Sequence, residues 1–167
     1  MTRLRAALGS ILFLVVAPGF VAGLVPYWLT GWESSDPPLA LVVAGALLVA
    51  AGSIVLLHAF ARFVLEGIGT PAPIAPTEHL VVGGAYRYVR NPMYLAVGSV
   101  ILGQALLLGQ TVLLAWVAGF GLMVEAFVRL YEEPTLTDRY GAEYTRYCET
   151  VPRWRPRLRR LPSELKG

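Results

Sequence analysis

Residues 91–134 read NPMYLAVGSVILGQALLLGQTVLLAWVAGFGLMVEAFVRLYEEP, and this stretch decides the fold. Two apolar runs, 93–108 and 111–130, flank a Gly109-Gln110 turn, and no charge interrupts them before Glu125. At 1.5 Å per residue the second run crosses about 30 Å of hydrocarbon, whereas the first is short for a span and is expected to tilt little. Toward the N-terminus, 39–63 and 6–29 are two further runs of spanning length, separated by a turn at 33–38. The first run follows Arg3 and Arg5 but is far longer than the roughly 7–15 apolar residues of a signal peptide. It reads as a retained helix that Pro18 and Pro26 kink or end. The prediction is an all-α integral membrane protein with four transmembrane helices, one domain over 1–167, a loop over 64–92 and a tail over 131–167.

Composition agrees. Hydrophobic residues make up 56% and charged residues 15% of 167, against about 25% charged in an average soluble domain. An ordinary soluble globule and a disordered chain are both excluded. The net charge is +3, and six basic residues from Arg153 onward share their stretch with one acid. In so apolar a chain such a tail points to membrane lipids, not nucleic acid. Cys148 is the only cysteine, so no internal disulfide exists. Arg3, Arg5, Arg62, Arg87, Arg90 and the bases from Arg139 to Lys166 all fall on one side of a four-span layout. Both termini are therefore expected in the cytoplasm, with the chain multi-pass in a bacterial inner membrane.

The polar chemistry gathers at that same side. Glu125, Arg129, Glu132 and Glu133 cover an arc of roughly 100° on an ideal helix. They form either a structural ion ladder or a functional stripe, and an ionisable stripe at the end of a membrane helix favours the second. The segment 66–84, rich in Pro and Gly, reads as an ordered surface loop. Pro134 suits the first turn of a new helix. Leu136, Tyr140, Tyr144, Tyr147 and Val151 then recur at helical spacing, as expected of an interfacial helix. Before the third run, Asn91-Pro92 reads as N-cap and first helical residue, a positive helix end able to receive a carboxylate. Tyr86, Arg87 and Tyr88 beside it suit headgroup anchoring at least as well as ligand binding. His58 reads as a packing residue. No Walker-type loop, CxxC or HExxH occurs, so neither metal catalysis nor nucleotide hydrolysis has support.

Two segments together carry a family pattern: GTPAPIAPTEHLVVGGAYRYVRNPMYL and, after the helical hairpin, RLYEEPTLTDRYGAEYTRYCETVPRWRPR. Over residues 67–157 the chain resembles the small integral-membrane methyltransferases related to isoprenylcysteine carboxyl methyltransferase and phospholipid N-methyltransferase. The resemblance implies an S-adenosylmethionine site at the cytoplasmic helix ends. Tyr86, Arg87, Arg90, Asn91, Pro92 and Tyr94 occupy the family's first cofactor motif. Arg129, Glu132 and Glu133 fit its Arg and paired-glutamate element, which the resemblance makes the catalytic candidates. Tyr144, Tyr147 and Pro152 match its lid-like tail. Asn91 stands where the carboxyl branch commonly has His, while Asn-Pro-Met-Tyr and Tyr-Glu-Glu-Pro resemble the phospholipid branch.

These residue types suit the cofactor, whose carboxylate wants an arginine or helix start, whose cations want a glutamate and whose adenine wants aromatic walls. Methyl displacement needs positioning in a water-poor pocket. An amine acceptor also needs a base, for which a glutamate serves, whereas a carboxylate acceptor wants Arg129 to hold it. The partner is a lipophilic acceptor from the bilayer, with an amine, carboxylate or thiol as the methylated group. The competing reading is a small non-enzymatic membrane protein that binds lipid or serves as an assembly subunit. Topology gives the first prediction: reporter fusions after Gly31 and Gly109 read external and those at Pro76 and Gly167 internal, and an external C-terminus refutes four spans.

Overall fold

The computed structural model describes residues 3–62, 65 and 79–157, and every regular element among them is helical. Residues 66–78 of the surface loop expected over 66–84, and the last basic residues, lie outside the described residues. The elements are α1 (Arg3–Gly19), α2 (Val25–Thr30), α3 (Leu39–Arg62), α4 (Pro92–Leu108), α5 (Val112–Phe127), α6 (Glu133–Tyr140) and α7 (Ala142–Thr150). A 3-10 turn, Gly84–Arg87, precedes α4. Three stretches are long and apolar enough to cross a membrane: Ile11–Thr30, Leu39–Arg62 and Val112–Tyr140. The helix α4 is as apolar but has only 17 residues.

The helices α3 and α4 pack as an antiparallel pair whose backbones touch. A Cβ built on Gly45 would stand 2.5 Å from the Gly103 carbonyl oxygen, and one on Gly52 would stand 2.8 Å from that of Ala96. In lipid no hydrophobic force drives helices together, so approach of this kind at small residues supplies the van der Waals contact. The opposite end of the bundle is tied by polar bonds. Ser35 N donates to Leu108 O at 2.9 Å, and Gln110 Nε2 donates to Glu33 O at 2.9 Å.

Neither Pro18 nor Pro26 ends the first helix. Instead a π turn, Phe20–Leu24, joins α1 to α2, and Pro26 sits in the first turn of α2. In a π turn each N–H reaches back five residues, so nearby carbonyls lose their usual partners. Here Val25 N donates to Phe20 O, and the carbonyls of Val21 and Ala22 instead accept from Trp116 Nε1 at 3.0 Å and Gln104 Nε2 at 2.7 Å. The first helix is thereby fixed to α5 and α4.

A second π turn, Val128–Glu132, runs from α5 into α6 without a break. Pro134 thus sits at the start of α6 but begins no separate helix. The chain breaks at Gly141, whose φ of 53° and ψ of −125° suit glycine best. The expected single interfacial helix is therefore two, α6 and α7. Its aromatic face also turns inward: Tyr144, Tyr147 and Val151 are buried with Leu80 and Val82 against them.

Gly45→Val places two methyl groups where backbone already lies. We expect the purified protein to lose more than the 1–3 kcal/mol typical of overpacking, read as a fall in thermal midpoint. Gly119→Ala, with nothing within 4 Å of the added carbon, leaves the midpoint unchanged.

Candidate functional site

At the end of the bundle where α3 stops and α4 starts, a cavity of about 500 Å³ opens among α1, α4, α5, α6 and α7. It has two parts. The apolar limb is lined by Phe13, Ala17, Val21, Val97 and Phe120, between the first helix and the α4–α5 hairpin. The polar end is lined by Tyr86, Arg90, Asn91, Tyr94, Glu132, Tyr144 and Tyr147.

The neighbouring glutamates have different surroundings. Glu133 is gripped by two arginines: Arg90 Nη1 donates to Oε1 at 2.7 Å, and Arg153 donates through Nε at 2.8 Å and Nη2 at 2.6 Å. The Glu133 carboxylate beside it raises the Arg153 pKa further. Glu132 faces the cavity, and its hydrogen-bond partner is the Tyr94 hydroxyl, which donates to Oε2 at 2.8 Å. Among the described residues no cation pairs with it, whereas Glu125 is paired with Arg129 and Arg153.

The Glu133 clamp draws the tail across the start of α4. Arg90 N donates to Pro152 O at 3.0 Å, and Arg157 N donates to Tyr88 O at 2.9 Å. Asn91 Nδ2 donates to Arg153 O at 3.3 Å, so Asn91 occupies the N-cap position without capping by its side chain. Tyr147 Oη donates to Tyr86 O at 2.8 Å, binding α7 to the 3-10 turn. Burial pushes the hydroxyls of Tyr86, Tyr144 and Tyr147 above the ordinary tyrosine range, so they act as neutral donors. Arg90 is itself only part used: Nη1 serves Glu133 and Cys148, while its buried Nε has no hydrogen-bond partner among the described residues. An unsatisfied buried donor is costly, and this one belongs to a residue that lines the cavity.

Of the residues expected from sequence, the structure gathers Tyr86, Arg90, Asn91, Tyr94, Glu132, Tyr144 and Tyr147 around one cavity. Pro92 is buried beneath it as the first residue of α4. Glu133 stands behind it in the clamp. Arg87 is exposed, and Arg129 turns outward, its side chain 61% exposed and its Nε on Glu125. The polar arc is therefore split. A π turn holds more residues than an α turn, so positions beyond Val128 lag the angles an ideal helix assigns them. Sequence reasoning also missed Arg153, which read as one more base of the tail, and the aromatic wall of Phe13 and Phe60, which stack at 6.2 Å. No pattern marked the last two, since both lie in runs that read as generic spans.

A family model described as phospholipid methyltransferase matches residues 40–143, more than half of the chain. The chain belongs to this family of methyltransferases, which act on membrane lipids. Neither a curated protein nor a solved structure matches it. The matched region holds Tyr86 to Tyr94, Glu132 and Glu133, and stops just before Tyr144 and the clamped tail.

The clamp generates a prediction. Glu133→Gln removes the charge from three bonds to arginine, and a hydrogen bond to a charged group contributes about 1.5–3 kcal/mol. Amide exchange over residues 151–157 should quicken by at least tenfold in this variant. Arg129→Gln should leave it unchanged, because Arg129 does not touch the tail.

Proposed function

We propose that the chain transfers a methyl group from S-adenosylmethionine to the amine of a phospholipid headgroup, with the cofactor and the headgroup meeting at the polar end of the cavity. The observation that carries this reading is Glu132: a carboxylate at the polar end of the cavity, without an ion-pair partner among the described residues. A buried carboxylate wants a cation, and both the sulfonium cofactor and an ammonium headgroup are cations. The orphaned Arg90 Nε–H is the matching donor for a carboxylate, which the cofactor also carries. The residues present thus fit the group.

When bound, S-adenosylmethionine supplies an electrophilic methyl carbon on a positively charged sulfur. Arg90 Nε binds the amino-acid carboxylate, and Tyr86, Tyr144 and Tyr147 wall the polar end. An ammonium headgroup has to lose a proton before its nitrogen can attack, and Glu132 accepts it. Tyr94, donating to Glu132, holds the carboxylate in one orientation. The apolar limb takes lipid chain and keeps water from the reacting groups, which strengthens each electrostatic contact. Arg129 has no part in holding an acceptor carboxylate, because it faces away from the cavity. The chain crosses the membrane four times with both termini in the cytoplasm. In support, α4 is about 26 Å long at 1.5 Å per residue, and Arg62, Arg90 and Arg153 stand at one end of the bundle.

Purified protein given labelled cofactor and a total lipid extract should yield phospholipid carrying label on nitrogen, identified by mass. Glu132→Gln should lower turnover by about 10²–10⁴, the usual contribution of a general base. Label recovered in a base-labile methyl ester, or full activity in Glu132→Gln, overturns the reading.

A further inference from the structure

A second cavity lies along the α4–α5 hairpin and borders the first, sharing Tyr94, Phe120 and Val124 with it. It is a groove of about 430 Å³ between the two helices, lined by Gly98, Leu102, Val117, Gly121, Glu125 and Trp154. Its volume falls within the roughly 300–1,000 Å³ of ordinary ligand sites. Gly121 opens it: a Cβ there would find nothing within 4 Å, and one on Gly98 would meet only Val117 and Phe120, at 3.9 and 4.0 Å.

The groove changes character along its length. Most of it runs beside the apolar middle of α4 and α5, where the surrounding medium is hydrocarbon. One end is polar. There Trp154 Nε1 and the Arg129 guanidinium both donate to the Glu125 carboxylate, with Arg153 Nη1 3.6 Å from it. Arg129 is mostly exposed at this mouth, and Arg155 beyond Trp154 is exposed as well. The groove ends at the Glu125 carboxylate, which Arg129 and Trp154 already engage, with most of the Arg129 side chain left exposed just outside. An apolar slot with an exposed guanidinium at its mouth is complementary to a lipid with an apolar chain and an anionic headgroup.

We propose that this groove binds one acyl chain of an anionic phospholipid from the bilayer, with its phosphate on Arg129. A second copy of the chain is the less suitable occupant. In one membrane both copies share an orientation, so a symmetric contact sets Arg129 of each at the same depth, like charge toward like charge.

Trp154 reports on the groove directly, because a brominated acyl chain quenches a tryptophan that it touches. The protein is reconstituted in vesicles of phosphatidylcholine with a minor fraction of brominated-chain phosphatidylglycerol, or of brominated-chain phosphatidylcholine. The quenching that disappears in Trp154→Phe is taken as Trp154's share. The proposal expects that share to be roughly fivefold larger with the anionic lipid, the preference that one arginine confers at a charged lipid headgroup. Arg129→Gln should erase the headgroup preference while chain quenching persists. Gly121→Leu, whose Cβ would meet nothing within 4 Å, should abolish Trp154 quenching by filling the groove, and Gly119→Leu on the same helix should not. Equal quenching by both lipids in the parent protein overturns the proposal. So does quenching unchanged in Gly121→Leu, or a disulfide-linked dimer formed through Gly121→Cys in the membrane.

Discussion

One carboxylate holds the site together. Glu133, at the first position of α6, takes Arg90 from the start of α4 on one side and Arg153 from the tail on the other. Three segments apart in sequence are thereby pinned at one point, at the end of the bundle where α4 starts. Such pairs are costly to bring out of water and more costly to break, so the arrangement specifies geometry more than it adds stability. With the tail drawn down, Trp154 reaches the ring of Tyr94 at 6.5 Å and the aromatic face of α7 closes over the cavity.

The next residue back has the opposite environment. Among the described residues, Glu133 is engaged by two arginines and Glu132 by a tyrosine hydroxyl. The two π turns make this separation possible. The one at Val128–Glu132 sets Glu132 toward the cavity and leaves Arg129 on the outer surface. The one at Phe20–Leu24 releases carbonyls to Trp116 and Gln104, and so holds the first helix as a wall of the apolar limb. Wide turns of this kind are rare and recur at functional sites, where they aim side chains that a regular helix would misdirect.

Much of this was legible in the residues. Apolar runs marked the helices, and Gly109 marked the turn of their hairpin, where φ is 67°. The clusters around Arg90 and Glu132 were marked by polar residues standing at helix ends where lipid does not tolerate them. What stayed hidden depends on registers that composition does not record. A π turn leaves no trace in hydropathy, so the angles of Arg129, Glu132 and Glu133 read as one stripe. Gly141 lies inside a periodic aromatic pattern that continues across it, so two helices read as one. The bond from Arg153 to Glu133 joins residues 20 apart across that break. No local rule pairs them, and Asn91 was likewise assigned to the nearer backbone instead of the tail.

The central claim is that adjacent glutamates divide the work, Glu133 holding the fold and Glu132 meeting the cation. An experimental structure of the protein in a lipid nanodisc with S-adenosylmethionine added tests it most directly. The account predicts a ligand at the polar end of the cavity, with its carboxylate on Arg90 Nε and its cationic groups toward Glu132. Arg153 stays on Glu133 in that structure. S-adenosylmethionine that displaces Arg153 to pair with Glu133, or that binds beside Arg129 on the outer face instead, contradicts it.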